Sequence, residues 1–250
     1  MTTYFITGVN KGIGKSLVEL LTKDSNNLVI GTVRNEAKAQ ELLSLKLENL
    51  KLIYIDMADN VTKFKEQFKA LESYAPNGVD VFIQNAAIVD PDTMKHSTLC
   101  DTDYFSTVFD VNVTGTVRAY QAIYPYLFKG NGTKKMVFIG SISGIIGEPS
   151  AGGNAYGLSK AAVHRFGTQV AKENRNSQDP LINQSVTLII HPGVVETTMH
   201  NDSSRKALTE IGASYITTDD SARKLLKIIN ENGIERSGTL FDEEGEILPW

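Results

Sequence analysis

The feature that most constrains this chain is a rhythm. Short runs rich in β-branched residues alternate with longer segments whose apolar residues recur at helical spacing. The strand-like runs are Tyr4 to Thr7, Leu28 to Val33, Leu52 to Asp56, Val79 to Gln84, Met136 to Gly140 and Val186 to His191. Helical patterns separate them, over Gly12 to Lys23, Glu36 to Lys46, Thr62 to Tyr74, Asp101 to Phe128 and Asn154 to Asn174. This order predicts βαβ units, hence a mostly parallel sheet. Right-handed crossovers then set helices on both of its faces. A last run, Thr239 to Phe241, is placed to close the sheet at one edge, which makes about seven strands. No repeat, low-complexity tract or linker interrupts the pattern, so one domain over 1–250 accounts for the chain. A chain of this length buries a sizeable core without disulfides or metal. Segment 174–183 reads as a surface loop, and 193–214, rich in Ser, Asn and Asp, as a mobile flap over a site.

Composition narrows the function classes. A net charge of −4 offers nothing to a nucleic acid or an anionic membrane. No apolar run approaches the roughly 18–20 residues of a membrane span. The chain passes almost directly from Met1 into its first strand, so no signal or transit peptide is predicted. Cys100 is the single cysteine, which excludes an intramolecular disulfide and fits a reducing compartment. The expectation is a cytoplasmic protein. His96, His164, His191 and His200 show no paired ligand spacing, so no metal site is predicted.

Two local patterns carry chemistry. Directly after the first strand comes Thr7-Gly8-Val9-Asn10-Lys11-Gly12-Ile13-Gly14, leading into helical Lys15-Ser16-Leu17-Val18. Glycines there permit a tight turn, let the backbone approach a pyrophosphate and let helix and strand pack closely. The helix N-terminus adds free N–H groups and a partial positive charge. Glycines end many strands with no ligand in view; the position between first strand and first helix is what favours a dinucleotide. The second pattern is Tyr156 and Lys160, four residues apart and therefore on one helix face. Such a pair alone is an ordinary solvated face. Here the small neighbours Gly157, Ser159, Ala161 and Ala162 favour close packing against a cofactor or partner.

With Thr7-Gly8-x-x-x-Gly12-x-Gly14 near the N-terminus and Tyr156-x-x-x-Lys160 past mid-chain, the sequence resembles the short-chain dehydrogenase/reductase family over nearly its whole length. Further segments fall in that family's order: Asp80 to Ala87, Val111-Asn112-Val113-Thr114-Gly115, Ile139-Gly140-Ser141-Ile142-Ser143-Gly144 and His191-Pro192-Gly193-Val194-Val195-Glu196-Thr197. The closing segment from Phe241 to Trp250 is similar to that of fungal carbonyl reductases. Gln84 and Ala87 depart from the family's Asn-Asn-Ala-Gly run, whereas Asn85 and Ala86 keep to it.

The resemblance implies a single-domain Rossmann fold that reduces a ketone or aldehyde with NADPH. Tyr156 would then donate the proton, and Lys160 would lower its pKa and bind the nicotinamide ribose. Ser141 would hold the substrate oxygen, with Ser143 as the rival by its spacing to the tyrosine. Asn112 is read either as a satisfied structural asparagine or as the anchor of a water leading to Lys160, and the two are compatible. Toward the cofactor the resemblance assigns Gly8, Asn10, Lys11, Gly12, Ile13 and Gly14 to the phosphates and Asp56 and Met57 to the adenine. It assigns Asn85 and Ala86 to the adenosine ribose, and Val195 and Thr197 to the carboxamide. It also implies pairing through the two long helices into a homodimer or homotetramer.

The choice of NADP(H) is read from the residues themselves. The second strand ends Gly31-Thr32-Val33-Arg34-Asn35, with no acid before Glu36. An acid there would bind a free ribose 2′-hydroxyl. Arg34 can instead fork onto a 2′-phosphate, with Lys11 approaching from the other side; otherwise both are solvated surface cations. The pocket walls are expected at 88–94, 142–151 and 194–215, where Ile145, Ile146 and Met199 suit an apolar carbonyl substrate. Three other readings compete: a nucleotide sensor without chemistry, a nucleotide-sugar epimerase, and a structural protein, which would leave Asn112, Ser141, Tyr156 and Lys160 unexplained.

Overall fold

The computed structural model describes residues 1–89, 95–147, 154–197 and 214–250. Its main strands are β1 (Thr2–Ile6), β2 (Asn27–Val33), β3 (Leu50–Tyr54), β4 (Val81–Gln84), β5 (Lys135–Ile139), β6 (Val186–Ile190) and, after two short strands, β9 (Thr239–Phe241). They form one seven-stranded sheet in the order β3-β2-β1-β4-β5-β6-β9, parallel at every pairing. The parallel α/β sheet expected from the rhythm, in the Rossmann-type arrangement that the resemblance implies, is therefore observed, with Thr239–Phe241 at the edge.

Alternation along each strand sends residues to two separate cores. Phe5, Ile30, Phe82, Phe138 and Ile189 share one face of the sheet. Tyr4, Ile6, Val29, Ile83, Ile139 and Ile190 share the other. Because both faces are covered, the strands read as nearly continuous apolar runs. The first core is closed by α3 (Val61–Phe68), α6 (Gly115–Leu127) and α7 (Asn154–Arg175), through Phe64, Phe68, Ile123, Val163 and Val170. The second is closed by α1 (Gly12–Leu21) and α9 (Thr218–Glu231), through Leu17, Val18, Leu225 and Ile228.

Several helical stretches are more broken than their periodicity predicts. The 36–46 segment is a 3₁₀ turn, Glu36–Lys38, capped by the Asn35 side chain, followed by α2 (Gln40–Ser44). The 62–74 segment divides into α3 and α4 (Leu71–Tyr74). The long 101–128 helix is α5 (Thr102–Phe109) and α6 joined by a π-helical turn, Asp110–Thr114. The 174–183 loop contains α8 (Pro180–Asn183), with Asp179 as N-cap and proline at the first turn, both favoured there. β7 (Val194–Val195) and β8 (Tyr215–Ile216) pair in parallel as a separate two-stranded ribbon that the periodicity missed. They bracket the predicted flap, whose residues 198–213 lie outside the described residues.

Candidate active site

β1 has β2 on one side and β4 on the other, so the chain leaves neighbouring strands toward opposite halves of the sheet. An open parallel sheet binds ligands at the crevice this creates. The glycine-rich turn stands there. Gly8 has φ 72°, and a Cβ on it would come within 2.9 Å of the Ala86 Cβ. A Cβ on Gly14 would stand 2.3 Å from the Gly8 carbonyl oxygen. No side chain caps the start of α1 at Lys11, and no acid sits in its first turn, which leaves backbone N–H groups and the helix dipole for an anion.

The crevice is tied across β1 and β4 by side chains. Asn85 Nδ2 donates to the carbonyls of Thr7 (2.9 Å) and Gly8 (3.0 Å). The Thr7 hydroxyl accepts the N–H groups of Asn85 and Ala86, each at 3.0 Å, and donates to Gln84 Oε1 at 3.0 Å. Gln84, the departure from the family's asparagine, is thus accommodated in the buried network. Sequence reading overlooked Thr7 as its hub.

The other expected cofactor residues are distributed around this crevice. A Cβ on Gly12 would stand 3.7 Å from the Thr197 methyl, which brings the exit of β7 to the turn, and Val195, within β7, is buried. Asn10 and Ile13 are half-buried in the turn. Asp56, beyond β3, is held by a local turn in which it accepts the Ala58 N–H while its own N–H goes to Asp59. Met57 is buried, and its carbonyl lies close enough to exclude any Cβ on Gly115. Arg34 is exposed at the tip of β2, and among the described residues its guanidinium has no hydrogen bond or ion pair. Lys15, one turn into α1, is by contrast paired with Glu41 and Glu19. These residues fit a dinucleotide: glycine clears the space, the helix end is open, and a cation stands at the second strand.

Residues 156, 160 and 164 form one face of α7 against the exit of β5. Lys160, buried, donates from Nζ to the Ile139 carbonyl at 2.7 Å and lies 5.6 Å from the centre of the Tyr156 ring. Burial pushes the lysine down to about 8. Burial also pushes the Tyr156 phenol up to about 12, opposed by a hydrogen bond from the Ser141 side chain. Ser141 caps the short 3₁₀ turn Ile142–Gly144, its Oγ accepting the Ser143 N–H at 3.2 Å. Of the two candidate serines, Ser141 therefore has its hydroxyl beside the phenol, while Ser143 contributes a main-chain N–H to it.

Asn112 sits in the π-helical turn, nearly fully buried. Its Oδ1 accepts the Ile88 N–H and its Nδ2 donates to the Ile88 carbonyl, both at 2.8 Å. Nδ2 also donates to Ser159 Oγ at 3.0 Å, and Ser159 donates to the Tyr156 carbonyl at 2.7 Å. Its own carbonyl accepts the Thr116 hydroxyl at 2.6 Å. The side chain thus links the loop after β4 to α7. Of the expected substrate walls, Ile88 and Val89, 142–147, 194–197 and Ser214 with Tyr215 are described; Met199 is not.

Comparison with known proteins gives a family match: the model for short chain dehydrogenases covers residues 2–232. An uncharacterized oxidoreductase of Schizosaccharomyces pombe is 30% identical over 262 residues, covering 99% of this chain and 97% of its own. A short chain dehydrogenase of Penicillium aethiopicum is 28% identical over 263 residues, covering 99% of both. Among solved structures, the NADPH-bound carbonyl reductase from chicken fatty liver superposes with a TM-score of 0.85 at 24% identity, over 100% of this chain and 94% of its own. The carbonyl reductase Sniffer of D. melanogaster superposes with a TM-score of 0.86 at 22% identity, over 100% of both. At these identities the two structures share the fold.

Proposed function

The chain belongs to the short chain dehydrogenase family, and from that premise we propose that it is an NADPH-dependent carbonyl reductase in which Tyr156 is the proton donor. The observation that carries this reading is the meeting of Tyr156, Ser141 and Lys160 at the exit of β5. A bound reduced nicotinamide would supply the hydride that the carbonyl carbon takes. The carbonyl oxygen then needs a proton and, before it arrives, relief of its developing negative charge.

Ser141 meets the second need by donating a hydrogen bond to that oxygen. Tyr156 meets the first. The phenol carries a proton at neutral pH, and the Lys160 ammonium beside it would lower its pKa toward the working range, so that it can give that proton up. Its proton passes to the alkoxide oxygen, and the phenolate left behind is stabilised by the nearby Lys160 ammonium. Asn112 supports this arrangement by holding, through Ser159, the backbone carbonyl of Tyr156. Its water-anchoring role toward Lys160 stays part of the proposal.

Gly8, Asn10, Lys11, Gly12, Ile13 and Gly14 would hold the phosphates, and Asp56, Met57, Asn85 and Ala86 the adenosine. Val195 and Thr197, with Tyr156 and Lys160, would hold the nicotinamide half. The exposed guanidinium of Arg34 at the end of β2, with no acid in the sequence between it and Glu36, supports NADPH over NADH. Ile145, buried beside the Ser141 turn, and the exposed Ile142 and Ile146 suit an apolar ketone or aldehyde. We read the enzyme as a cytoplasmic homodimer or homotetramer joined through α5, α6 and α7; light scattering in solution tests that state. The deciding assay follows cofactor oxidation with NADPH and with NADH across a panel of ketones, diketones and aldehydes. Turnover with NADPH supports the reading, and cofactor binding without turnover on any of them would leave a nucleotide sensor instead.

A further inference from the structure

β5 stops at Ile139, yet the chain stays buried for two more residues before it turns. A backbone N–H buried there, past its sheet partners, needs an acceptor from elsewhere. Gly140 finds one on the next strand, donating to the Ile190 carbonyl at 2.8 Å. Ser141 finds one on α7: its N–H donates to His164 Nε2 at 3.2 Å.

His164 lies eight residues after Tyr156 and four after Lys160, so all three share one helix face. Its ring is seated in a notch cut by two glycines. A Cβ on Gly140 would stand 2.6 Å from Nε2, and one on Gly144 would stand 2.7 Å from Cε1. The ring is 2% exposed, and the Trp250 indole closes on it edge-on with centroids 6.2 Å apart. The segment from Gly140 to Gly144 is therefore wrapped around this imidazole, with Ser141 between the two glycines.

Resting on the carbonyl-reductase reading of the site, we propose that His164 is a positioning residue: by accepting the Ser141 N–H it holds the Ser141 hydroxyl beside the Tyr156 phenol. Nε2 accepts only when it carries no proton, so the ring must be neutral with its hydrogen on Nδ1. Burial, helped by the charges of Lys160 and His191 and opposed by the Gly144 backbone, pushes His164 down to about 4. The ring is thus neutral across the working range. Lys160 does the complementary task two residues earlier by holding the Ile139 carbonyl.

A simple packing role and a positioning role separate in a double-mutant cycle. His164→Met keeps the volume and removes the acceptor; His164→Gln returns an oxygen near the position of Nε2. We expect His164→Met to lower kcat about 10-fold or more with the NADPH KM nearly unchanged, and His164→Gln to recover most of it. In a Ser141→Ala background the His164→Met change should cost less than about 2-fold, because its effect passes through that hydroxyl. Equal cost in both backgrounds overturns the role of His164 alone. Unchanged turnover in Ser141→Ala by itself overturns the Ser141 assignment, and this proposal with it. Nitrogen-15 NMR of the wild-type imidazoles needs no variant to fold: a non-protonated Nε2 on His164 at neutral pH is expected, and a proton there overturns the proposal.

Discussion

Removing one hydroxyl is the sharpest change available at the scale of single residues. Tyr156→Phe keeps the ring and its packing, so turnover is expected to fall at least about 10²-fold with cofactor binding largely kept. Near-normal turnover would end the role assigned to Tyr156. Ser141→Ala should also cost on the order of 10²-fold, as loss of an oxyanion donor does, and Ser143→Ala much less, because Ser143 offers Ser141 a backbone N–H that alanine retains. A reversed order of losses would move the oxyanion donor to Ser143. At the second strand, a charge-assisted hydrogen bond contributes roughly 1.5–3 kcal/mol, or about 10- to 100-fold. Arg34→Ala should raise the Michaelis constant for NADPH by that order and leave the one for NADH nearly unchanged. Equal effects on the two cofactors would remove Arg34 from the 2′-phosphate. Tyr156, Lys160 and the glycine turn were legible because each motif is a contiguous run with a fixed spacing. His164 carried the same signal, four residues beyond Lys160, but nothing local marks what an imidazole faces.

At the scale of elements, the π-helical turn around Asn112 joins β4, α6 and α7. Periodicity read one helix from Asp101 to Phe128, because apolar residues continue through the junction between α5 and α6. The turn is where the asparagine's side chain becomes useful. π-turns inside helices often sit at functional sites. Asn112→Ala strips the Ile88 N–H and carbonyl of their partner and frees Ser159. Each buried group left unpaired costs about 1–3 kcal/mol. Urea unfolding should therefore report a loss of that order or more, with turnover falling too because Tyr156 loses its brace. A variant as stable as the parent would mean that the Ile88 groups find other partners.

For the whole molecule, the two buried imidazoles make a testable link between acidity and folding. Burial pushes His164 and His191 down from 6.5 to about 4; Lys160 adds to it in both, and Asp242 opposes it at His191. Below about pH 6.5 the unfolded chain takes up protons on these rings while the folded chain stays neutral until about pH 4. Unfolding then binds protons, so stability falls as pH drops through that window. Each ring corresponds to on the order of 3 kcal/mol across it. Urea midpoints should decline from pH 7 to pH 5, and His164→Gln, which has no proton to take up, should show a shallower decline. An unchanged slope in that variant would mean that His164 is already protonated in the fold.

The alternation of strand and helix, the buried parallel sheet and the motif residues followed from the sequence alone, because each rests on spacing over a few neighbouring residues. Which helix covers which face, the order β3-β2-β1-β4-β5-β6-β9 and the β7–β8 ribbon did not. Nor did the linkage of Thr7 to Asn85 or of Asn112 to Ser159, whose partners are 78 and 47 residues apart. A hydrogen bond across such a distance depends on where two elements come to rest, and that position is set by packing two cores at once. Local periodicity determines which elements form and which side of each is apolar. Only the packed molecule decides which polar group each buried donor meets, and at the exit of β5 that meeting brings Ser141, Tyr156, Lys160 and His164 together.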